Sequence, residues 1–127
     1  RPGGAIAAAW AVMNFLGIEG YREKQGLVCA TRENIQKGVE TLGCEVLGDP
    51  KLGLLAFRHP DLDSYALWGK MLERGWFTSI TTEPPSLHLM LSPFHAEVAD
   101  QYLADLEAGM ADLRAGKTGE KREARYS

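Results

Sequence analysis

Residues 5–16 read AIAAAWAVMNFL, in which Asn14 is the one strongly polar side chain. A helix over this run is apolar on nearly every side and needs covering on most of them. At 1.5 Å per residue it rises roughly 18 Å, short of the roughly 30 Å core of a bilayer, so no membrane span is predicted. A small domain has little protein with which to bury such a helix. Cover is therefore expected from protein outside the chain, or from a second subunit. Gly17 and Gly20 break the run, and an amphipathic pattern follows from Tyr21 to about Leu42. There Val28, Ile35, Val39 and Leu42 share one face, with Arg22, Glu23, Lys24, Arg32, Glu33 and Lys37 on the wet side and Gly43 as C-cap.

Two short strands come next, Glu45–Leu47 and Leu54–Arg58, joined through the turn signal Gly48-Asp49-Pro50-Lys51. Asp61 or Asp63 caps a helix running to Arg74, with Leu62, Tyr65, Trp68 or Gly69, and Leu72 along its inner face. Trp76–Thr82, rich in β-branched and aromatic residues, reads as a strand, and Pro84-Pro85 as an extended break. Ser86–Leu91 alternates, Leu87, Leu89 and Leu91 against His88 and Met90. A last amphipathic helix covers about Ala96–Leu113, turning Val98, Tyr102, Leu106 and Met110 inward. The β-β-α-β-β-α order predicts an α+β fold: a small, mainly antiparallel sheet with helices on one face.

Composition narrows the function. The 127 residues are 45% hydrophobic and 24% charged, ordinary for one globular domain and wrong for a disordered or collagenous chain. A formal net charge of −3 argues against a nucleic-acid partner. Cys29 and Cys44 are too few for a disulfide scaffold and have no CxxC partner, so neither a disulfide framework nor a metal site is predicted. The last stretch, 115–127, carries +2 and leaves −5 to the remainder. With no large aliphatic residue it reads as a mobile basic tail. The chain opens at Arg1-Pro2-Gly3-Gly4 with neither an initiator Met nor a signal sequence, so further residues are expected upstream.

Bare chemistry yields no catalytic constellation. His88 and His95 sit on different predicted elements across a proline, where a strand or capping role competes with a functional one. No serine lies in a GxSxG elbow. Gly3-Gly4 ahead of a helix has the form of a phosphate cradle, a pattern that one glycine pair does not establish.

Several blocks nevertheless resemble a known family. RPGGAIAAAWAVMNFLGIEGY is similar to the segment after the lysine-bearing region of group II pyridoxal-phosphate decarboxylases and their relatives, the sphingosine-1-phosphate lyases. There an Arg-Pro-Gly turn enters a long helix containing a Trp. The turn Gly48-Asp49-Pro50, the helix start Asp63-Ser64-Tyr65, Arg74-Gly75-Trp76, Pro84-Pro85-Ser86-Leu87-His88 and His95-Ala96 match the lyases' C-terminal domain in order. The likeness covers about residues 1–114.

The resemblance implies the C-terminal small domain of a fold-type I (aspartate aminotransferase-like) enzyme. It divides the chain into a buried linking helix over 1–17, an α+β domain over 18–114 and the tail over 115–127. The enzyme would be a cytoplasmic homodimer with active sites at the subunit interface and pyridoxal 5′-phosphate as cofactor, any membrane anchor lying upstream. Its substrate would be a phosphorylated sphingoid base, cleaved to a long-chain aldehyde and phosphoethanolamine. The Schiff-base lysine would lie upstream, so no catalytic residue is expected here. Arg1 and Gly3 are the implied cofactor-side residues, though Arg1 serves equally to tie down the turn. His88 and Tyr126 are the implied substrate-binding residues, against a structural histidine and an incidental tail tyrosine. Leu87-His88-Leu89, where many decarboxylases carry Leu-Arg-Phe, is the lyase-like choice. Two rivals stay open, an amino-acid decarboxylase and a non-catalytic interaction domain.

Overall fold

The computed structural model describes residues 2–116. Its first element is α1, Gly3–Thr41, one long helix bent at a single residue. Gly17 adopts φ 58°, ψ −174°, a left-handed conformation that glycine alone enters without steric cost. The break that the sequence predicts is there at Gly17, where two helical legs meet; the second leg starts at once, so that Gly20 is helical, with the Leu16 side chain against it.

Beyond the bend, Val28, Thr31, Arg32, Ile35 and Val39 form the buried stripe. Arg32, expected in water, is buried to 9% exposure because it stands one turn from Val28 and Ile35. Its stem lies in the stripe while Nη1 donates to Gln36 (2.8 Å) and Nη2 to Glu33 (3.2 Å). At the helix end the Cys44 amide donates to the Val39 carbonyl (2.9 Å) and the Gly43 amide to Glu40 (3.0 Å). This is a Schellman cap with Gly43 at φ 87°.

β1 (Glu45–Val46), β2 (Leu54–Arg58), β3 (Ser79–Thr82) and β4 (Pro85–Met90) make one antiparallel sheet in the order β1-β2-β4-β3. α2 (Ser64–Glu73) lies between β2 and β3, and a 3₁₀ turn (Pro93–Glu97) leads into α3 (Ala99–Arg114). Strand alternation sends Leu55, Phe57, Leu87 and Leu89 into the core, where they meet Val39, Leu67, Met71, Leu106 and Met110 from the three helices. Leu54 and Met90, paired across β2 and β4, are exposed on the opposite face. The α+β reading with helices on one face is therefore what the chain adopts.

One open alternative is settled and two local expectations change. Of the two candidate caps Asp63 is the one that caps α2, its carboxylate accepting from the Ala66 amide at 2.7 Å. The buried residues of α2 are Ser64, Leu67, Gly69, Lys70 and Met71; of the expected inner face Gly69 is buried, while Leu62, Tyr65, Trp68 and Leu72 are only half-buried. The helix is rolled because α3 approaches it closely: a Cβ at Gly109 would stand 3.4 Å from Lys70 Cβ and 3.7 Å from Leu67 Cδ1. Finally, Pro84-Pro85 closes a hairpin instead of breaking the sheet. Thr82 pairs with Pro85, and proline is tolerated at a strand's first residue, where no ladder donor is lost.

The first leg of α1 is different in kind. Ile6, Trp10, Phe15 and Ile18 are 64%, 66%, 88% and 71% exposed. No helix among the described residues is long and apolar enough to cross a membrane.

Candidate functional site

The segment Trp76–Thr78 favours a strand by composition, yet β3 begins only at Ser79. Two indoles account for the difference. Trp68 Nε1, from α2, donates to the Thr78 carbonyl at 2.9 Å. Trp76 Nε1 donates to Asp105 Oδ2 at 2.8 Å, and the Trp76 ring meets Tyr102 edge-on, with centroids 5.2 Å apart and planes at 89°. These ties hold the segment against α2 and α3. Ser79↔His88 is thus the last pair between β3 and β4, while β4 itself continues to Met90.

The gap so opened is a cleft of about 280 Å³. Thr78 and Ser79 form one wall, His88 and Leu89–Leu91 the other. Ile35, Ala99 and Tyr102 lie beneath, and His95 with Val98 closes one end.

Its polar groups have distinct local causes. His88 alternates with the buried Leu87 and Leu89, is half-buried, and its side chain has no hydrogen-bond partner among the described residues. His95 is fixed by its own turn: the Ser92 amide donates to Nδ1 at 2.7 Å, so the neutral ring carries its proton on Nε2. Tyr102 is 4% exposed, and burial, with a smaller push from Cys44, raises its phenol far above the ordinary value. The hydroxyls of Tyr102 and Thr78 are both buried and without a partner. Asp105, which does not line the cleft, is held below the usual carboxylate range by hydrogen bonds from Trp76 and Gln101.

His88 is the one sequence-predicted site residue in this cleft. Gly3 stands in the first turn of α1 with open space around it and lines none of the cleft. Arg1 and Tyr126 lie outside the described residues. His59, the third histidine, accepts the Asp61 amide at 3.1 Å and faces Arg114 at 3.3 Å in the loop after β2. Thr78, His95 and Tyr102 line it without having been predicted as site residues, since which residues meet there depends on where two distant indoles anchor one segment.

No group of three His, Cys, Asp or Glu side chains among the described residues is placed to hold a metal. No described lysine lines the cleft either. Among the described residues this face therefore lacks the donor set that would anchor pyridoxal phosphate.

No protein-family profile matches the chain. Individual proteins do. Over 116 residues it is 34% identical to a sphingosine-1-phosphate lyase of Oryza sativa subsp. japonica, covering 91% of this chain and 22% of the lyase. It is 36% identical over 117 residues to a probable L-tyrosine/L-aspartate decarboxylase of Methanothrix thermoacetophila, covering 91% of this chain and 30% of that protein. Among solved structures it matches a sphingosine-1-phosphate lyase of Burkholderia pseudomallei with a TM-score of 0.84 and 30% identity, over 92% of this chain and 27% of the lyase. The chain thus spans between a fifth and a third of each protein's length. Over nine-tenths of its own length, it is similar to one segment of sphingosine-1-phosphate lyases and of a probable L-tyrosine/L-aspartate decarboxylase.

Proposed function

We propose that this chain forms part of a pyridoxal-phosphate-dependent carbon–carbon lyase that cleaves phosphorylated sphingoid bases to a long-chain aldehyde and phosphoethanolamine. The observation that carries the reading is the agreement of sequence and fold with lyases from rice and from a bacterium over nearly the whole chain. Leu87-His88-Leu89 supports it further, because β4 leaves the His88 ring half-buried on the face it shares with Met90, without a hydrogen-bond partner among the described residues. A functional imidazole needs that combination of access and positioning.

In this proposal the cofactor-anchoring lysine belongs to protein outside the described residues. The first leg of α1 packs on that protein or on a second subunit of a cytoplasmic homodimer, and residues 18–114 form the small domain of a fold-type I enzyme. Gly3 is proposed to stand on the cofactor side and His88 on the substrate side. The likeness to the archaeal decarboxylase favours a second reading, loss of a carboxylate from an amino acid on the same scaffold.

One product analysis separates the two. The full-length protein that carries this chain, given sphingosine 1-phosphate, is expected to release long-chain aldehyde and phosphoethanolamine in equal amounts. Carbon dioxide from tyrosine or aspartate, without aldehyde from the phosphorylated base, would replace the lyase reading by the decarboxylase one. Neither product would return the chain to the class of interaction domains. The 127-residue chain alone, treated with cofactor and borohydride, is expected to gain no stoichiometric pyridoxyl-lysine.

A further inference from the structure

An antiparallel sheet with one face in water normally turns polar side chains to that face. The face of this sheet opposite the helices does not. Leu54 and Met90, paired across β2 and β4, are 51% and 65% exposed, and Leu52 is 62% exposed. The next pair along, Ala56 and His88, is half-buried. The loop after β1 brings Leu47 and Pro50 to the same side, around a hollow of about 410 Å³. Single exposed apolar residues are ordinary, whereas a contiguous group drawn from two strands and a loop marks a surface that is covered.

The charges here identify the cover. Arg58 holds Glu45 at 3.1 Å and Lys51 holds Asp49 at 2.9 Å. Among the described residues the hollow thus offers no unpaired cation to a phosphate or an anionic lipid surface. An uncharged centre with paired charges at its rim is the composition of a protein interface. The arm leaves the body at the same end. Gly53 lies between Val28 and the Leu91 carbonyl, next to Leu54 and Met90, and from Tyr21 to Leu27 every residue of α1 is exposed. The lyases of rice and of Burkholderia pseudomallei carry most of their length beyond the segment matched by this chain.

We propose that the open face of the sheet seats the remainder of the same polypeptide, with Leu52, Leu54 and Met90 buried in the seam and the His88 ring enclosed near its centre. Ligand sites form preferentially at seams between domains, which accounts for an imidazole without a partner on an otherwise apolar face. The core on the other face is complete without this cover, since Leu55, Phe57, Leu87 and Leu89 are 5% exposed or less. The inference rests on the reading of the chain as part of a longer enzyme, and not on which bond that enzyme breaks.

The four methionines report on the seam. Met71 and Met110 are buried in the core, Met90 lies on the open face and Met13 on the arm. Hydrogen peroxide transfers one oxygen atom to an accessible thioether, giving the sulfoxide and water. The rate at each methionine is read by mass spectrometry on the full-length protein that carries this chain, folded and in urea. In the folded protein Met90 should react at least about tenfold more slowly than in urea, in the range of Met71 and Met110, and this protection should survive dilution to the single subunit. Leu54→Asp, at a position exposed in the body, should restore fast oxidation at Met90 while Met71 and Met110 stay slow. If that variant loses protection at every methionine it has unfolded, and Leu54→Ala, which should raise the Met90 rate alone, decides in its place. Met90 as reactive folded as in urea, or still slow in a folded Leu54→Asp protein, would overturn the proposal. Protection lost on dilution would overturn it as well and make a second copy the occupant. The product analysis above takes no account of Met90, so the two readings fail separately.

Discussion

The two legs of α1 are built from the same kind of residue and have opposite fates. Before Gly17, Ile6, Trp10 and Phe15 face solvent; after it, Ile35 and Val39 are 2% and 0% exposed. Helix propensity does not separate them, since alanine-rich sequence favours the first leg at least as strongly. What separates them is a partner. The second leg lies against the sheet and α3, whereas every residue of the first from Gly3 to Phe15 is exposed. A lone helix of fewer than about 15 residues is marginal in water. An apolar surface of this extent is the mark of a site that other protein covers.

Paired core and arm substitutions test that comparison most severely. Leu106 is fully buried in the cluster of sheet and helices, and Leu106→Ala should cost about 2–5 kcal/mol in urea unfolding. Phe15→Ala should stay within about 0.5 kcal/mol in the isolated chain. Equal losses would show that the arm is already part of the folded body.

Gly53→Ala probes the seam where the second leg meets the sheet. A Cβ there would stand 2.5 Å from Val28 Cγ1 and 3.0 Å from the Leu91 carbonyl oxygen. Because one of those neighbours is backbone, a loss of about 1–3 kcal/mol is expected, and an unchanged midpoint would mean that the seam is loose.

The smallest effect concerns pH. Burial pushes the Cys44 thiol up to about 11, with the charge of Arg114 pulling partly the other way. The native state thus favours the protonated thiol. Its contribution is complete below the unfolded value of about 9 and is lost as the pH rises from there toward about 11. Tyr102, raised by burial, adds a slope of the same sign at higher pH. Cys44→Ala should flatten the unfolding midpoint across the lower part of this range. Phe15→Ala should leave the slope as it is, since the effect belongs to the body.

The body was legible in sequence where burial follows simple periods. Leu87 and Leu89 against His88 and Met90 are distributed as a two-residue alternation dictates, and Val28, Ile35 and Val39 as a helical stripe does. It was illegible where one side chain redirects another element's backbone. Trp76–Thr78 has strand composition, yet two indole hydrogen bonds draw it off β4. The roll of α2 depends on how closely Gly109 admits α3, which no pattern within α2 records. For the same reason His88 could be nominated from its strand, while Thr78 and Tyr102 could not. Their lack of partners is a tertiary fact.

The most direct measurement of the central contrast, a body complete in itself and an arm that takes its cover from elsewhere, is backbone hydrogen exchange on the isolated chain and on the full-length protein that carries it. In the isolated chain, amides of residues 5–16 should exchange with little protection while those of residues 28–42 open only with the body. In the full-length protein, residues 5–16 should become protected to a comparable degree. Equal protection of both legs in the isolated chain, or an arm equally unprotected in the full-length protein, would contradict it.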